Sequence, residues 1–177
     1  MLRTTGLAFA IAALPSVLGA AEATLGVRYA DAMAAIDQTF AMRREARGGD
    51  VVYRGAVASA ALTLRTHADV VQRAELSTDD VAKPDLESSP SYVRNFALRG
   101  RFVTNLLPSW HADALAWLGQ SMRELTPKAL DGRPQSRSIG RDGVELRLDL
   151  APGSTSDGQA LLHTTLTVQP ESDARRR

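Results

Sequence analysis

Residues 108–151, PSWHADALAWLGQSMRELTPKALDGRPQSRSIGRDGVELRLDLA, carry the clearest local structure in the chain. In their first half, Trp110, Ala114, Trp117, Ser121 and Leu125 recur at spacings of three and four residues, which is typical of a helix with one apolar face. Ser109 can accept a hydrogen bond from the first turn as its N-cap, and Pro127 lacks the N–H that would continue the helix. We therefore predict a helix over 109–125.

The second half of this stretch predicts a β-hairpin. Apolar residues at 144, 146, 148 and 150 alternate with charged ones, which indicates a strand with one buried face. Asp142-Gly143 is a typical type I′ turn, and such a turn places Ile139 opposite Leu146. A further strand is predicted over 160–169. The three strands form an antiparallel meander, with the tryptophan helix packed on its apolar face.

The helix, Pro127 and the Asp142-Gly143 hairpin together resemble the membrane-distal ferredoxin-like modules of pilus and type II secretion assembly proteins. The resemblance covers only this part of the chain. It implies a scaffold or assembly-accessory protein of the cell envelope, with other envelope proteins as its partners.

Composition excludes several classes of protein. The 177 residues include 21 Lys and Arg and 20 Asp and Glu. The net charge of +1 therefore gives no general attraction to nucleic acid. There is no cysteine, which excludes disulfides, thiol catalysis and thiolate metal sites.

The N-terminus has the layout of a secretory signal peptide. Arg3 is followed by a mostly apolar run from Gly6 to Leu18 and by the small-residue motif Ala21-Glu22-Ala23. We predict a signal peptide over 1–23 and a periplasmic location. In the alternative, residues 4–21 stay uncleaved as an inner-membrane anchor, which gives the protein a membrane contact; Pro15 disfavours that span.

Residues 24–76 are interpreted as a helical segment. Leu25, Tyr29, Met33, Ile36 and Phe40 follow a helical period, and Gly48-Gly49 is a suitable end for a helix over 23–47. The alanine content of 51–76 favours a second helix, although Val51-Val52-Tyr53 and Leu62-Thr63-Leu64 also suit strands. The predicted fold class is therefore α+β: a long N-terminal helix or helical hairpin, then a helix packed on a small antiparallel β-meander.

Residues 77–91 are rich in Asp, Glu, Ser and Pro and are predicted to be a linker. They separate the helical segment from a small α+β module over 92–170, and 171–177 is predicted to be a disordered tail. Residues 92–107 fit either a helix or a strand, but Pro90 directly after Ser89 favours a helix.

No catalytic, metal or cofactor motif is recognisable. His67, His111 and His163 lie on different predicted elements without a metal-ligand spacing, and neither nucleotide-binding glycine fingerprint is present. The string Ser109, His111, Asp113 does not predict a catalytic triad, because residues two apart on a helix point in different directions.

The candidate ligand- or partner-binding residues are Trp110, Trp117, Phe102, Arg99 and Arg101. The aromatic side chains suit a core or an exposed patch, and the arginines suit a solvated helix face better than a nucleic-acid surface. Three hypotheses follow: an envelope scaffold, a carrier of lipid or another apolar ligand, and a hydrolase assembled from distant residues. In a carrier, Trp110, Trp117 and Phe102 should line a cavity rather than fill the core.

Overall fold

Seven antiparallel strands form one sheet in the computed structural model, which describes residues 24–36, 39–82, 86 and 89–171. The order across the sheet is β1-β2-β3-β4-β7-β6-β5. The bounds are β1 Arg43–Arg47, β2 Asp50–Val57, β3 Ala60–His67, β4 Val70–Val81, β5 Gln135–Arg141, β6 Val144–Ser154 and β7 Ala160–Pro170.

The first four strands are joined by two-residue turns. Arg47 pairs with Asp50, Val57 with Ala60, and His67 with Val70, so each turn consists of the two residues between. Such tight hairpins need positive φ angles. Gly48, Ala58, Ala68 and Asp69 supply them, at 62°, 43°, 46° and 67°.

Three helices accompany the sheet: α1 (Tyr29–Met33), α2 (Pro90–Leu106) and α3 (His111–Leu130). α2 packs on β4, and α3 packs on β5, β6 and β7. Pro90 stands in the first turn of α2, where its missing N–H costs nothing. The helix prediction for 92–107 is confirmed.

The core lies between the helices and one face of the sheet. Alternate strand residues such as Leu64, Leu76 and Leu166 point into it and are almost fully buried. Leu118 and Met122 of α3 meet them from the helix side. The other face carries cross-strand pairs of polar and charged side chains, such as Arg54–Glu45 at 2.7 Å and Ser77–Thr165 at 3.2 Å.

The predicted fold class is wrong, because the described residues form one seven-stranded antiparallel sheet rather than a long helix followed by a small meander. The long helix over 23–47 is replaced, within the described residues, by the short α1 and by β1, and the second helix over 51–76 by β2, β3 and most of β4. Gly48-Gly49 is a hairpin turn rather than a helix end. The apolar residues of the supposed first helix are nevertheless buried in the core, namely Leu25, Met33, Ile36 and Phe40.

The second half of the prediction is closer to the structure. The type I′ turn at Asp142-Gly143 is confirmed, with φ angles of 54° and 76°, and Ile139 pairs with Leu146. The meander, however, is continuous with β1–β4, because β7 pairs with β4. α2 and α3 also follow each other directly in the chain, whereas a ferredoxin-like module separates its two helices by strands.

Two details of α3 differ from the prediction. The helix begins after Trp110, and Ser109 makes no capping bond, because the chain first forms a turn in which Trp110 N donates to Leu107 O at 3.2 Å. It also continues past Pro127 to Leu130. Proline leaves the carbonyl of Arg123 without its helical partner, and since Arg123 is exposed, water can replace that bond.

The segment predicted as a linker begins inside the sheet, since Ser77–Val81 belong to β4, and it ends where α2 starts at Pro90. The predicted signal peptide over 1–23 and the tail beyond Glu171 lie outside the described residues. In the part that the structure describes, no helix is both long and apolar enough to cross a membrane.

Candidate functional site

A surface groove runs between α2 and α3. The turn at 107–110 brings α3 back along α2, so that Leu115 approaches the position of Gly100, while Phe96 and Gly119 line the groove further along. Its volume is about 460 Å³. The lining residues are Tyr92, Val93, Phe96, Leu115, Ala116, Gly119, Met122 and Arg123, and we refer to them as the helix groove.

Apolar side chains in the helix groove are open to solvent. Val93 and Phe96 are 56% and 41% exposed, more than any other large hydrophobic side chain in the described residues. They are exposed because α2 has two apolar stripes. Leu98, Phe102 and Leu106 form the stripe that is buried against the sheet, and Val93 and Phe96 form the exposed one. No side chain fills the space above Gly119, where an added Cβ would meet nothing within 4 Å.

The charge around the groove is positive. α2 contains no Asp or Glu, and Arg123 of α3 lines the groove without an ion pair to a described residue. The carboxylates of α3 point elsewhere: Asp113 binds Arg141 at 2.5 Å, and Glu124 binds Arg137 at 2.8 Å. Hydrogen bonds from Gln120 and Arg137 lower the pKa of Glu124, which stays ionised and engaged.

Arg99 lies under α2 and is fully buried. It donates to Thr78 Oγ1 through Nε at 3.0 Å and binds the carboxylate of Asp80, which is also fully buried. Asn95 donates to the other oxygen of Asp80 at 2.7 Å. The guanidinium also lies 5.7 Å from the ring of Tyr92. This network fixes α2 to β4, and it removes Arg99 from the surface available to a partner.

The three predicted aromatic residues are part of the core. Phe102 and Trp110 are almost completely buried, and Trp117 is partly buried against the same cluster. None of them lines the helix groove or the two other described cavities. Arg101 is exposed and donates to Ala35 O at 3.2 Å, beside a cleft on the opposite side of α2. The structure therefore does not bring the five candidate residues together.

Sequence reasoning missed Val93, Phe96 and Asp80. The sequence pattern of 92–107 does not show that Val93 and Phe96 are exposed, because their exposure depends on how α2 packs against its neighbours. The acidic residues of 77–91 predict a linker, whereas Asp80 is the buried partner of Arg99. No signal in the sequence distinguishes Asp80 from Asp79, although the alternation of β4 places them on opposite faces.

One polar row on the open sheet face has the hydrogen-bond order of a hydroxyl, an imidazole and a carboxylate. Asp79 Oδ1 lies 2.5 Å from His163 Nδ1, and Thr165 Oγ1 lies 3.4 Å from His163 Nε2. Both strands are internal to the sheet, so their N–H groups are committed to the ladders and offer no oxyanion donor. We assign these contacts to strand pairing.

The remaining histidines have local partners. His67 Nδ1 lies 3.0 Å from Asp50, and His111 Nδ1 lies 3.0 Å from Pro108 O. Within the described residues, no three His, Asp or Glu side chains are grouped closely enough to hold a metal ion. No protein-family model, curated protein or solved structure matches the chain.

Proposed function

We propose that the chain is an exported protein of the cell envelope that acts as a scaffold or assembly-accessory factor. It binds an apolar segment of another envelope protein in the helix groove. The exposure of Val93 and Phe96 carries the proposal, because contiguous exposed apolar side chains on a stable helix pair are typical of docking surfaces. The N-terminal sequence supports export to the periplasm.

The shape of the groove suits a helix of the partner. Two packed helices with an open seam accept the apolar face of an amphipathic helix, as in helix-in-groove recognition. Gly119 lets the partner's backbone approach α3 closely. Arg123 at the rim favours acidic residues beside the partner's apolar stripe.

A carrier of an apolar ligand is the second candidate. The volume of the groove, about 460 Å³, falls in the range of small-molecule sites. Against it, Phe102 and Trp110 fill the core instead of lining a cavity, so a bound lipid would stay largely open to water. A hydrolase has less support, since the carboxylate–imidazole–hydroxyl row of Asp79, His163 and Thr165 lies on the open sheet face.

Photo-crosslinking in the native host tests the proposal. A benzophenone amino acid replaces Ala116 in the groove or, as the matched control, Ala61 on the open sheet face; both alanines are exposed. We expect a defined protein adduct from position 116 only. Adding Gly119→Leu should abolish that adduct, because the new side chain occupies the empty space above Gly119 and cannot weaken the helix.

The outcomes separate the candidates. An adduct with the mass of a lipid at position 116 supports the carrier, and equal adducts at 116 and 61 contradict a specific groove. Mass spectrometry of the same material should find a mature N-terminus between Glu22 and Thr24 in the periplasmic fraction. An intact Met1 on membrane-bound protein would instead support the anchored alternative.

A further inference from the structure

A second cleft lies on the other side of α2, between that helix and the β2–β3 turn. Its volume is about 250 Å³. It is separate from the helix groove and shares no lining residue with it. Its lining residues are Thr39, Val57, Ala58, Ser59, Ala60, Arg94, Asn95, Ala97, Leu98 and Arg101, and we refer to them as the basic cleft.

Several polar groups of the basic cleft have hydrogen-bond donors that no described residue accepts. Ser59 Oγ accepts a bond from Asn95 Nδ2 at 3.3 Å, which leaves the hydroxyl hydrogen of Ser59 free to donate. Arg101 donates one N–H to Ala35 O, and no described residue accepts its other N–H groups. Arg94 forms no ion pair with the described part of the chain, and Thr39 adds another hydroxyl.

No acidic side chain neutralises these donors among the described lining residues. The two nearest carboxylates on β4 are engaged elsewhere. Asp80 is held by Arg99 and Asn95 below the cleft, and Asp79 binds His163 on the opposite face of the sheet. Two guanidinium groups and two hydroxyls, each with a donor that no described residue accepts, form a set suited to an oxyanion.

The floor of the cleft is apolar. Val57, Ala60 and Leu98 line it between the polar groups. Arg94 and Arg101 lie seven residues apart, about 10 Å along the axis of α2, so their side chains flank the floor from two ends. A bare ion would leave the apolar floor uncovered, and a neutral apolar molecule would leave the donors unused.

We infer that the basic cleft binds an oxyanion, a carboxylate or a phosphate, attached to a short apolar group. The anionic group bonds to the guanidinium and hydroxyl donors, and the apolar part covers Val57 and Leu98. This inference is independent of the helix groove, so either can fail without the other.

Calorimetric titration at low ionic strength tests it with four probes: hexanoate, hexyl phosphate, inorganic phosphate and hexanol. Hexanoate and hexyl phosphate should each bind about tenfold or more tightly than hexanol, because only they engage the guanidinium groups. Hexyl phosphate should also bind more tightly than inorganic phosphate, since only it covers the apolar floor.

Variants locate the binding. Arg94→Gln and Arg101→Gln should each weaken hexyl phosphate binding by about tenfold. The matched control is Arg123→Gln, an exposed arginine of the helix groove, which should change binding less than twofold, that is by about 0.4 kcal/mol at most. Thermal unfolding by circular dichroism verifies that each variant is folded.

Three results would overturn the inference. The first is hexanol binding as tightly as hexanoate, and the second is an effect of Arg123→Gln equal to that of Arg94→Gln in folded protein. The third is inorganic phosphate binding as tightly as hexyl phosphate, which would mark a site for free oxyanions without the apolar contact.

Discussion

At the scale of single residues, the buried pair Arg99–Asp80 is the feature that most constrains the molecule. Both side chains are completely removed from solvent, and the desolvation of two charges is offset by their mutual bond and by the bonds to Thr78 and Asn95. Nη1 of Arg99 has no hydrogen-bond partner among the residues that the structure describes. The pair therefore fixes the position of α2 rather than adding much net stability.

Removing one partner should be far more damaging than removing both. Arg99→Met leaves the Asp80 carboxylate buried without its cation, so we expect a loss of about 3–5 kcal/mol in the free energy of unfolding. The double variant Arg99→Met with Asp80→Leu should cost clearly less than the single change, because no unpaired charge remains. Urea titrations of both proteins measure this difference.

Arg101→Met serves as the control, because Arg101 is exposed on the same helix and should change the midpoint little. A double variant that loses as much stability as Arg99→Met alone would show that the network stabilises α2 by more than charge compensation.

At the scale of elements, the sequence predicts those whose turns have distinctive residues. Asp142-Gly143 identifies the β5–β6 hairpin and its register, because aspartate and glycine tolerate positive φ. Pro90 after Ser89 identifies the start of α2, because proline suits the first turn of a helix. The amphipathic pattern of α3 identifies the helix, although not its exact ends.

The β2–β3 and β3–β4 hairpins could not be predicted by the same reasoning. Their turns place Ala58, Ala68 and Asp69 at positive φ, and alanine is not a residue that signals such a turn. The strands themselves contain many alanines, which favour helix locally. Pairing with neighbouring strands overrides that preference, and pairing partners far apart in the chain leave no local pattern.

The candidate sites were harder still to predict. The exposure of Phe96 and the burial of Arg99 depend on how α2 sits against α3 and β4, whereas their sequence pattern is that of one amphipathic helix. Arg94 and Arg101 form a cleft only because the β2–β3 turn lies beside them. The exposure or burial of these side chains and the presence of the cleft are set by tertiary packing.

The β2–β3 hairpin should show a defined response to acid. Hydrogen bonds from Arg65 and then His67 lower the pKa of Asp50. A carboxyl whose pKa is lower in the folded state stabilises the fold above its unfolded pKa, and the contribution is lost as pH falls through the folded value. The pKa of an aspartate in the unfolded chain is about 3.9.

We therefore expect Asp50→Asn to lower the thermal midpoint at pH 6 and to have little effect near pH 2. Asp157→Asn is the control in a loop outside this hairpin: hydrogen bonding from Thr155 also lowers the pKa of Asp157, but its loss should leave the acid response of the hairpin unchanged. The readout for the hairpin is amide hydrogen exchange of β2 and β3. We expect the effect of Asp50→Asn on the exchange rates to shrink as pH falls. An effect that grows as pH falls would contradict this account.

At the scale of the whole molecule, the sheet joins the two halves of the sequence. β4 from the first half pairs with β7 from the second, from Ala74↔Val168 to Val81↔Leu161. Leu64 and Leu76 of the first half share one core with Leu118 and Leu166 of the second. The predicted division into a helical segment, a linker and a small α+β module implies instead that the second half folds alone.

Separate fragments decide between the two descriptions. Residues 86–171 alone would expose the edge of β7 and leave Arg99 without Asp80 and Thr78, so we expect no cooperative unfolding transition for that fragment. Residues 24–85 should likewise be unfolded alone. Mixing the two should restore the circular dichroism spectrum and the cooperative transition of the control, residues 24–171 in one chain. If 86–171 alone unfolds cooperatively with the same midpoint as the control, the second half is an independent domain, and the β4–β7 ladder is an interface between two folded units.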